Sequence, residues 1–377
     1  IDIMDMKQNP KICMITNIGP HYRYPIFEKI SKELGCDFYL GDKVYLPIKT
    51  FNYKDLSGYK ATLTNHFFGK FYWQSNSIRL LFKKYNTYIL DGEPYCLSSW
   101  VILAISKLLS KHTIAWTHGW YGRESRLKKI LKIVFFNLHT KLLVYNEYSI
   151  RLMEQEAGIS PQKMYCIANS MDSDLEMKVR TKLKDTDIYH NHFNNNYPTI
   201  IYCGRIQKWK KLDMILDCME SLNQEGNPIN VVFVGKDVDN VGLDIIAKRK
   251  RLDKQVWLYG PCYDDMLLGE LFYNAYACVS PGNVGLTAIH ALSFGCPIIT
   301  HNNFAYQNPE FEAIIPGITG DFFEMDNAKD LKNKIEMWTQ KDVISRNKTR
   351  IEAFKEIDRK WNINYQIKII KEAVNDK

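Results

Sequence analysis

No apolar run in this chain is long and clean enough to span a bilayer: the stretch 100–109 is cut by Lys107, and 133–145 by His139 and Lys141. The nine cysteines include no C-x-x-C pair, and no zinc-finger, RNA-reading or basic-helix pattern appears, which excludes the common metal-stapled, redox and nucleic-acid-binding modules. Cys13, Cys166, Cys203 and Cys278 lie in apolar, strand-like runs and read as reduced core residues of a cytosolic protein. The opening IDIMDMKQNP has no apolar core behind a positive cap, so export is not expected. The sharpest absence is at 271–309, which holds no Asp, Glu, Lys or Arg although 24% of the 377 residues are charged. Its Pro-Gly and Gly-Cys-Pro breaks, with the polar Asn283, Thr287 and His290, argue against a membrane segment and for a buried strand and helix lining a cleft.

Within that stretch, 275–280 reads as a strand, 281–283 as a turn and 286–294 as a helix stopped by Gly295, with a second strand at 297–300. Such a unit puts a helix start at the carboxyl edge of a parallel sheet. There the amides of Val284, Gly285, Leu286 and Thr287, with the helix dipole, favour an anion, most simply a nucleotide diphosphate. Gly282 and Gly285 permit close backbone approach. An ordinary buried strand-helix unit with no ligand shares the pattern.

What is present suits a globular protein of two domains: 46% of residues are hydrophobic, and the length allows two real cores. A net charge of +8 suits anionic partners without requiring nucleic acid. The 23 tyrosines and 8 tryptophans suit stacking on sugars or bases, and serve equally as core residues. Apolar strands at 11–16, 87–90, 113–116, 142–145 and 164–168 alternate with amphipathic helices, and the rhythm restarts at 199–203, 230–234 and 255–259. This predicts α/β architecture, two doubly wound parallel sheets facing a cleft, with ligands at the carboxyl ends of the strands. Loops at those ends collect Gly19, Asp91-Gly92-Glu93, His118, Asn146-Glu147 and Asn169-Ser170. The expected domains are 1–175 and 195–356, joined by a polar, aperiodic connection, with the helical tail 357–377 returning to the first.

Cys203-Gly204-Arg205 through Lys210 sits at the mouth of the first strand of the second half. A guanidinium and an ammonium five positions apart converge readily on one diphosphate and neutralise a leaving nucleotide without a metal. Asp172-Ser173-Asp174 and Asp185-Thr186-Asp187 have a metal-binding spacing but lie in the connection, and read as solvated turns. Arg123, Arg126, Lys128, Lys129 and Lys132 interleave with apolar residues, as on a helix resting against an anionic membrane or on one with a solvated cationic face.

Gly204-Arg205 with Lys210, then INVVFVGK, VWLYGPCYDD, PGNVGLTAIHALSFGCPII and PEFEAIIPGITGDFF, resembles the second domain of family 4 retaining glycosyltransferases of the GT-B fold. Gly19, the His118 of WTHG and the IANSMD segment resemble the first half of that family. The resemblance implies that Arg205 and Lys210 bind the donor pyrophosphate, with amides from Gly285, Leu286 and Thr287, and that Gly19 closes on the same phosphates. It makes His118 the contact to the transferred sugar, and Gly204, Gly235, Tyr259, Asn283, Val284 and His290 further donor-site residues. The family's two glutamates, eight positions apart, are here Gly282 and His290. An imidazole still bonds a ribose hydroxyl, whereas Gly282 leaves sugar recognition to Asn283, backbone or another residue.

The resemblance thus implies a metal-independent retaining transferase. It uses a UDP- or GDP-sugar and a glycan or polyprenyl-linked acceptor, in bacterial capsule or O-antigen type polysaccharide synthesis, in the cytoplasm or on the inner membrane face. The rivals are a nucleotide-sugar epimerase and a non-catalytic, degenerate transferase.

Overall fold

The computed structural model describes residues 11–45 and 48–376; the acidic opening segment, on which the export expectation rests, lies outside them. The chain divides into two compact units, one running to Ala168 and resuming at Ile363, the other spanning Asn169–Asn362.

The first unit contains β1 (Ile12–Thr16), α1 (Tyr24–Leu34), β2 (Asp37–Gly41), β3 (Tyr59–Leu63) and the hairpin β4 (Asn65–Phe68) and β5 (Phe71–Gln74). It continues with β6 (Thr87–Asp91), α2 (Leu97–Leu108), β7 (His112–Thr117), α3 (Arg126–Leu138), β8 (Lys141–Val144), α4 (Glu147–Ala157) and β9 (Met164–Cys166). Seven strands pair in the order β3-β2-β1-β6-β7-β8-β9, all parallel. Every residue of β1 is buried, because helices cover both faces of the sheet; a parallel strand in that position has no solvent side to make polar.

The second unit begins with α5 (Ser173–Arg180) and α6 (Ile188–Phe193), inside the segment expected to be an aperiodic connection. Asp172 caps α5 by accepting from the Leu175 amide, and Tyr189 of α6 donates its hydroxyl to the Leu271 carbonyl. Glu176 of α5 accepts from Ser293 at 2.9 Å, so both helices are held by the body of this unit. Then follow β10 (Thr199–Cys203), α7 (Asp213–Gln224), β11 (Asn230–Val234), α8 (Leu243–Arg249), β12 (Val256–Gly260), α9 (Asp265–Asn274) and β13 (Cys278–Ser280). The unit closes with α10 (Leu286–Ser293), β14 (Ile298–His301), β15 (Gly320–Phe323), α11 (Ala328–Thr339) and α12 (Val343–Arg359). Its six strands are parallel in the order β12-β11-β10-β13-β14-β15.

The expected α/β class, two doubly wound parallel sheets, is what the structure has. In each sheet the chain order reverses beside the first strand, between β1 and β6 and between β10 and β13. Loops diverge there and leave a crevice, the place where ligands bind in such sheets. Among the described residues no helix is long and apolar enough to cross a membrane, and all nine cysteines are free.

The tail breaks at Lys360 and resumes as α13 (Ile363–Asn375), which buries Ile363, Ile367, Ile370 and Ala373 in the core of the first unit. Ile370 is fully buried. Ile370→Ala is expected to lower the unfolding free energy of that unit in urea by about 2–5 kcal/mol, from lost burial plus a residual cavity. A loss below about 0.5 kcal/mol, the range of surface substitutions, would show that α13 adds nothing to that core.

Candidate functional site

In the second unit the loops after β10, β11 and β12 meet at three glycines. Gly235 donates its amide to the Gly260 carbonyl at 2.9 Å, and Gly204 donates to Val234 at 2.9 Å. A Cβ on Gly235 would stand 1.8 Å from the Gly204 carbonyl oxygen, and its φ of +153° is open to glycine at little cost. The strand ends therefore lie against one another, and the chain leaves β10 as an exposed loop carrying Arg205. No group among the described residues bonds the Arg205 guanidinium.

Lys210 sits on the turn that follows, half-buried, and its ammonium donates to the Asn283 carbonyl at 2.6 Å and to Asn283 Oδ1 at 2.8 Å. Burial, then the charge of Arg205, lowers its pKa to about 8. Two cations in mutual repulsion, one of them unpaired, make a site short of an anion.

The 281–285 turn after β13 is held rigidly. Thr300 Oγ1 donates to the carbonyls of Ser280 and Gly282, and Gln307 donates to Thr300 Oγ1 while its Oε1 accepts the Val284 amide at 2.8 Å. The Val284 amide, expected to face a ligand, is thus spent inside the protein, because Val284 itself is buried. The amides of Gly285, Leu286 and Thr287, at the start of α10, have no acceptor among the described residues and remain for an anion. Asn283, its Oδ1 taken by Lys210, keeps its amide N–H groups.

Gly282 has a local reason to be glycine. Its amide donates to the Lys210 carbonyl at 3.0 Å, and an added Cβ would lie 2.8 Å from Lys210 Cα and 2.9 Å from the Trp209 carbonyl oxygen. The approach that this glycine permits is of the chain's own backbone.

His290 lies in the second turn of α10, its ring between Phe272 and Phe294 at centroid distances of 5.6 and 5.1 Å. Its Nε2 is buried without a bond, 3.8 Å from Oε1 of Glu176 on α5, which also lacks one. Burial lowers the histidine pKa to about 4 and raises that of Glu176 to about 8. Only Nδ1 is left to meet a ligand. Tyr259, half-buried on the outer strand β12, has its ring tilted against that of Trp257 at 5.1 Å and makes no bond or ring contact to the Arg205 or Lys210 side chains.

Sequence reasoning passed over Glu176, Thr300 and Gln307. Glu176 sits in the supposed connection, and the other two act only by supporting backbone. Asp172 caps α5, and Asp185 pairs with Arg350 at 2.9 Å. No group of three or more His, Cys, Asp or Glu able to hold a metal occurs among the described residues.

In the first unit, loops at the ends of β1, β6 and β7 enclose a cavity of about 390 Å³, lined by Arg23, Asp91, Glu93 and His118 with several aromatic rings. Thr16 Oγ1 donates to Asp91 at 2.8 Å, and the Asn17 amide donates to its other oxygen. Gly19 lies at the edge: its amide donates to Tyr53 Oη at 3.0 Å, and a Cβ there would meet that ring at 2.8 Å. The Gly19 amide is therefore already engaged.

The His118 ring packs 4.8 Å from that of Tyr145, its Nδ1 is buried without a bond, and burial followed by the charges of Arg23 and Lys132 lowers its pKa to about 4. Its loop is fixed by a buried ion pair: Lys132 donates to Glu124 at 2.9 Å and to the Gly119 carbonyl at 2.7 Å, while Glu124 accepts the amides of Tyr121 and Gly122. Lys132 is therefore not part of a solvated cationic face, and Lys129 pairs with Glu156.

Residues 184–361, just under half of the chain, match the model of the family described as Glycosyl transferases group 1. No curated protein matches the chain. Among solved structures, Anabaena Alr3699/HepE in complex with UDP is 13% identical, with a TM-score of 0.72 over 96% of this chain and 99% of that one. A glycosyltransferase from Rickettsia africae ESF-5 is 14% identical, with a TM-score of 0.73 over 98% and 100%. The lipopolysaccharide outer core galactosyltransferase WaaB is 14% identical, with a TM-score of 0.69 over 97% and 99%. The fold is GT-B: two Rossmann-like α/β domains. The segment matching the group 1 family contains Arg205, Lys210 and the start of α10, all in the second domain.

Gly282→Ala is expected to destabilise the second unit by about 1–3 kcal/mol, the usual cost of overpacking, read from its thermal transition. Gly282→Glu would cost at least as much. Wild-type stability in both would mean that the 208–210 turn lifts away freely.

Proposed function

We propose that this chain is a retaining, metal-independent glycosyltransferase that moves a hexosyl group from a UDP- or GDP-sugar to a glycan or lipid-linked glycan. The observation that carries the reading is the anion site of the second unit: Arg205 without a partner, Lys210 beside it, and three amides without acceptors at the start of α10. It lies wholly within the segment that matches Glycosyl transferases group 1. UDP is the first donor base to test, since HepE was solved with UDP and with UDP-glucose.

In the proposed reaction the bond from the sugar C1 to the donor phosphate oxygen breaks, and an acceptor hydroxyl oxygen bonds to C1. The acceptor proton passes to the departing phosphate, so no protein base is consumed. Charge builds on the leaving diphosphate, where Arg205, Lys210 and the amides of Gly285, Leu286 and Thr287 stabilise it. His118, neutral at pH 7, offers hydrogen bonds to the transferred sugar, and His290 Nδ1 accepts from a ribose hydroxyl.

A capsule or O-antigen type pathway in the bacterial cytoplasm, peripheral to the membrane, completes the reading. Supporting it, α3 exposes Leu127, Ile130 and Val134 beside Arg126 and Lys128, an apolar and cationic face suited to anionic lipid.

A thermal-shift titration with UDP, GDP, CMP and dTDP in a chelating buffer tests the site. One nucleotide is expected to stabilise the protein by roughly 2.7 kcal/mol at 100 times its dissociation constant. Arg205→Ala or Lys210→Ala is expected to cut turnover at least about 100-fold, the scale of removing a transition-state donor. No shift with any nucleotide would favour the non-catalytic rival, and product formation without acceptor would favour the epimerase.

Affinity for the nucleotide should also fall as pH rises through about 8. Lys210 is protonated below that value and neutral above it, so raising the pH removes one cation from the site. The same depressed pKa means that the folded state binds fewer protons than the unfolded chain between about 8 and 10.5, so in the absence of ligand Lys210 adds stability as pH rises there. Affinity unchanged up to pH 9.5, or an identical fall in Lys210→Met, would remove Lys210 from the diphosphate site.

A further inference from the structure

His290 lies three residues after Thr287 and four after Leu286, so it shares their face of α10, one turn or about 5.4 Å from the helix-start amides. Phe272 and Phe294 flank its ring, and Nε2 is buried without a bond. The side chain keeps 12% of its surface open, and Nδ1 is the nitrogen left for a ligand there.

Opposite Nε2, at 3.8 Å, stands Oε1 of Glu176 on α5, likewise buried without a bond. The second carboxyl oxygen accepts from Ser293, one turn further along α10, at 2.9 Å. Glu176 is only 5% exposed, so its carboxyl is out of reach of any ligand. Its helix is seated closely: a Cβ on Gly269 of α9 would stand 2.9 Å from Val179 of α5. Burial holds the carboxyl pKa up, Asp172 and Asp265 add to that, and Ser293 and Arg180 oppose it. Two buried polar atoms that face each other with no other partner among the described residues are costly apart, and closing the gap by under about 1 Å gives an ordinary hydrogen bond.

We infer that Glu176 is a positioning residue of the nucleotide site: it holds His290 at Nε2 from behind, so that Nδ1 is turned to the ribose hydroxyls of the donor. The ribose in this statement rests on the transferase reading; the hold of Glu176 on His290 rests on the geometry alone. Whichever member of the pair carries the proton, one hydrogen lies between them, and a hydroxyl, both donor and acceptor, answers Nδ1 in either form. The second unit then reads a nucleotide twice. Arg205, Lys210 and the helix-start amides take the diphosphate, and a histidine steadied by α5 distinguishes ribose from deoxyribose.

The test compares UDP and GDP with their 2′-deoxy and 3′-deoxy forms by calorimetry on the full chain. At least one ribonucleotide is expected to bind about tenfold more tightly than one of its deoxy forms, the scale of a hydrogen bond lost with its partner left unmade. Glu176→Leu, which fills the space without a polar atom, is expected to weaken the ribonucleotide about tenfold and leave the deoxy form unchanged, bringing the ratio close to one. Glu176→Gln, whose amide offers a donor in one orientation and an acceptor in the other, should keep the wild-type ratio. An equal loss for ribo and deoxy forms in Glu176→Leu would mean that α5 merely supports the fold and would overturn the inference. So would a ratio unchanged in that variant, or a glutamine variant that behaves as the leucine one does.

If Glu176→Leu fails to fold, the histidine nitrogen-15 NMR spectrum of the wild-type chain decides. His290, assigned by its loss in His290→Gln, is expected in one fixed tautomer; an average of the two would show that nothing holds Nε2. Nucleotide binding with no preference for ribose sinks the inference and spares the transferase reading. No nucleotide bound, with His290 still in one fixed tautomer, removes the transferase reading and upholds the grip of Glu176 on His290.

Discussion

The backbone of Lys210 lies against Gly282, and the anion site proposed for the second unit depends on that contact. The Gly282 amide bonds the Lys210 carbonyl, so the turn after β10 and the turn after β13 are one rigid piece. This places the Lys210 ammonium on the Asn283 carbonyl and Oδ1, which orients the turn leading into α10. Support from below comes from Thr300 and Gln307, whose side chains satisfy the turn carbonyls and the Val284 amide. Preorganised donors of this kind need no rearrangement when charge appears, which is why such sites stabilise anions better than water does.

A second constraint is desolvation, and it acts in both units in the same direction: it neutralises. His118 and His290 have pKa values of about 4, and Glu176 about 8, so at neutral pH none of the three carries its usual charged-state chemistry. The formal charges beside the start of α10 are then cationic, on Arg205 and Lys210.

The parallel sheets were legible because their strands are buried on both faces and read as short apolar runs ending in glycine or polar loops, as Ile12–Thr16 and Thr199–Cys203 do. β2 has the same signature, a buried run ending at Gly41, and was passed over all the same; the other missed elements lack it. β3 alternates in burial at one end of its sheet, and β15 is four residues that begin at a glycine with φ of +159°. α6 is six residues in an asparagine- and histidine-rich stretch, held by His192 stacked 3.8 Å from Trp257 and by Tyr189 on Leu271. Such elements exist through tertiary contact, which local sequence does not report. At the site, the loops carrying Arg205, Lys210, Asp91-Gly92-Glu93 and His118 were all readable as strand ends. That Lys210 holds Asn283, that Tyr53 occupies the Gly19 amide and that Glu176 faces His290 were not, because each joins residues at least 34 positions apart.

Gly282 shows how a local steric fact limits a chemical one. The family resemblance puts a carboxylate in this turn, yet no side chain fits there while the Lys210 Cα lies 2.8 Å from where its Cβ would be. Moving that backbone would also move the ammonium on which the anion site depends. In this chain a side chain at 282 and the present placement of Lys210 therefore exclude each other. In the proposed reaction, recognition of the sugar by the second unit then falls to groups that do not compete for that space: the Asn283 side-chain amide and the helix-start amides.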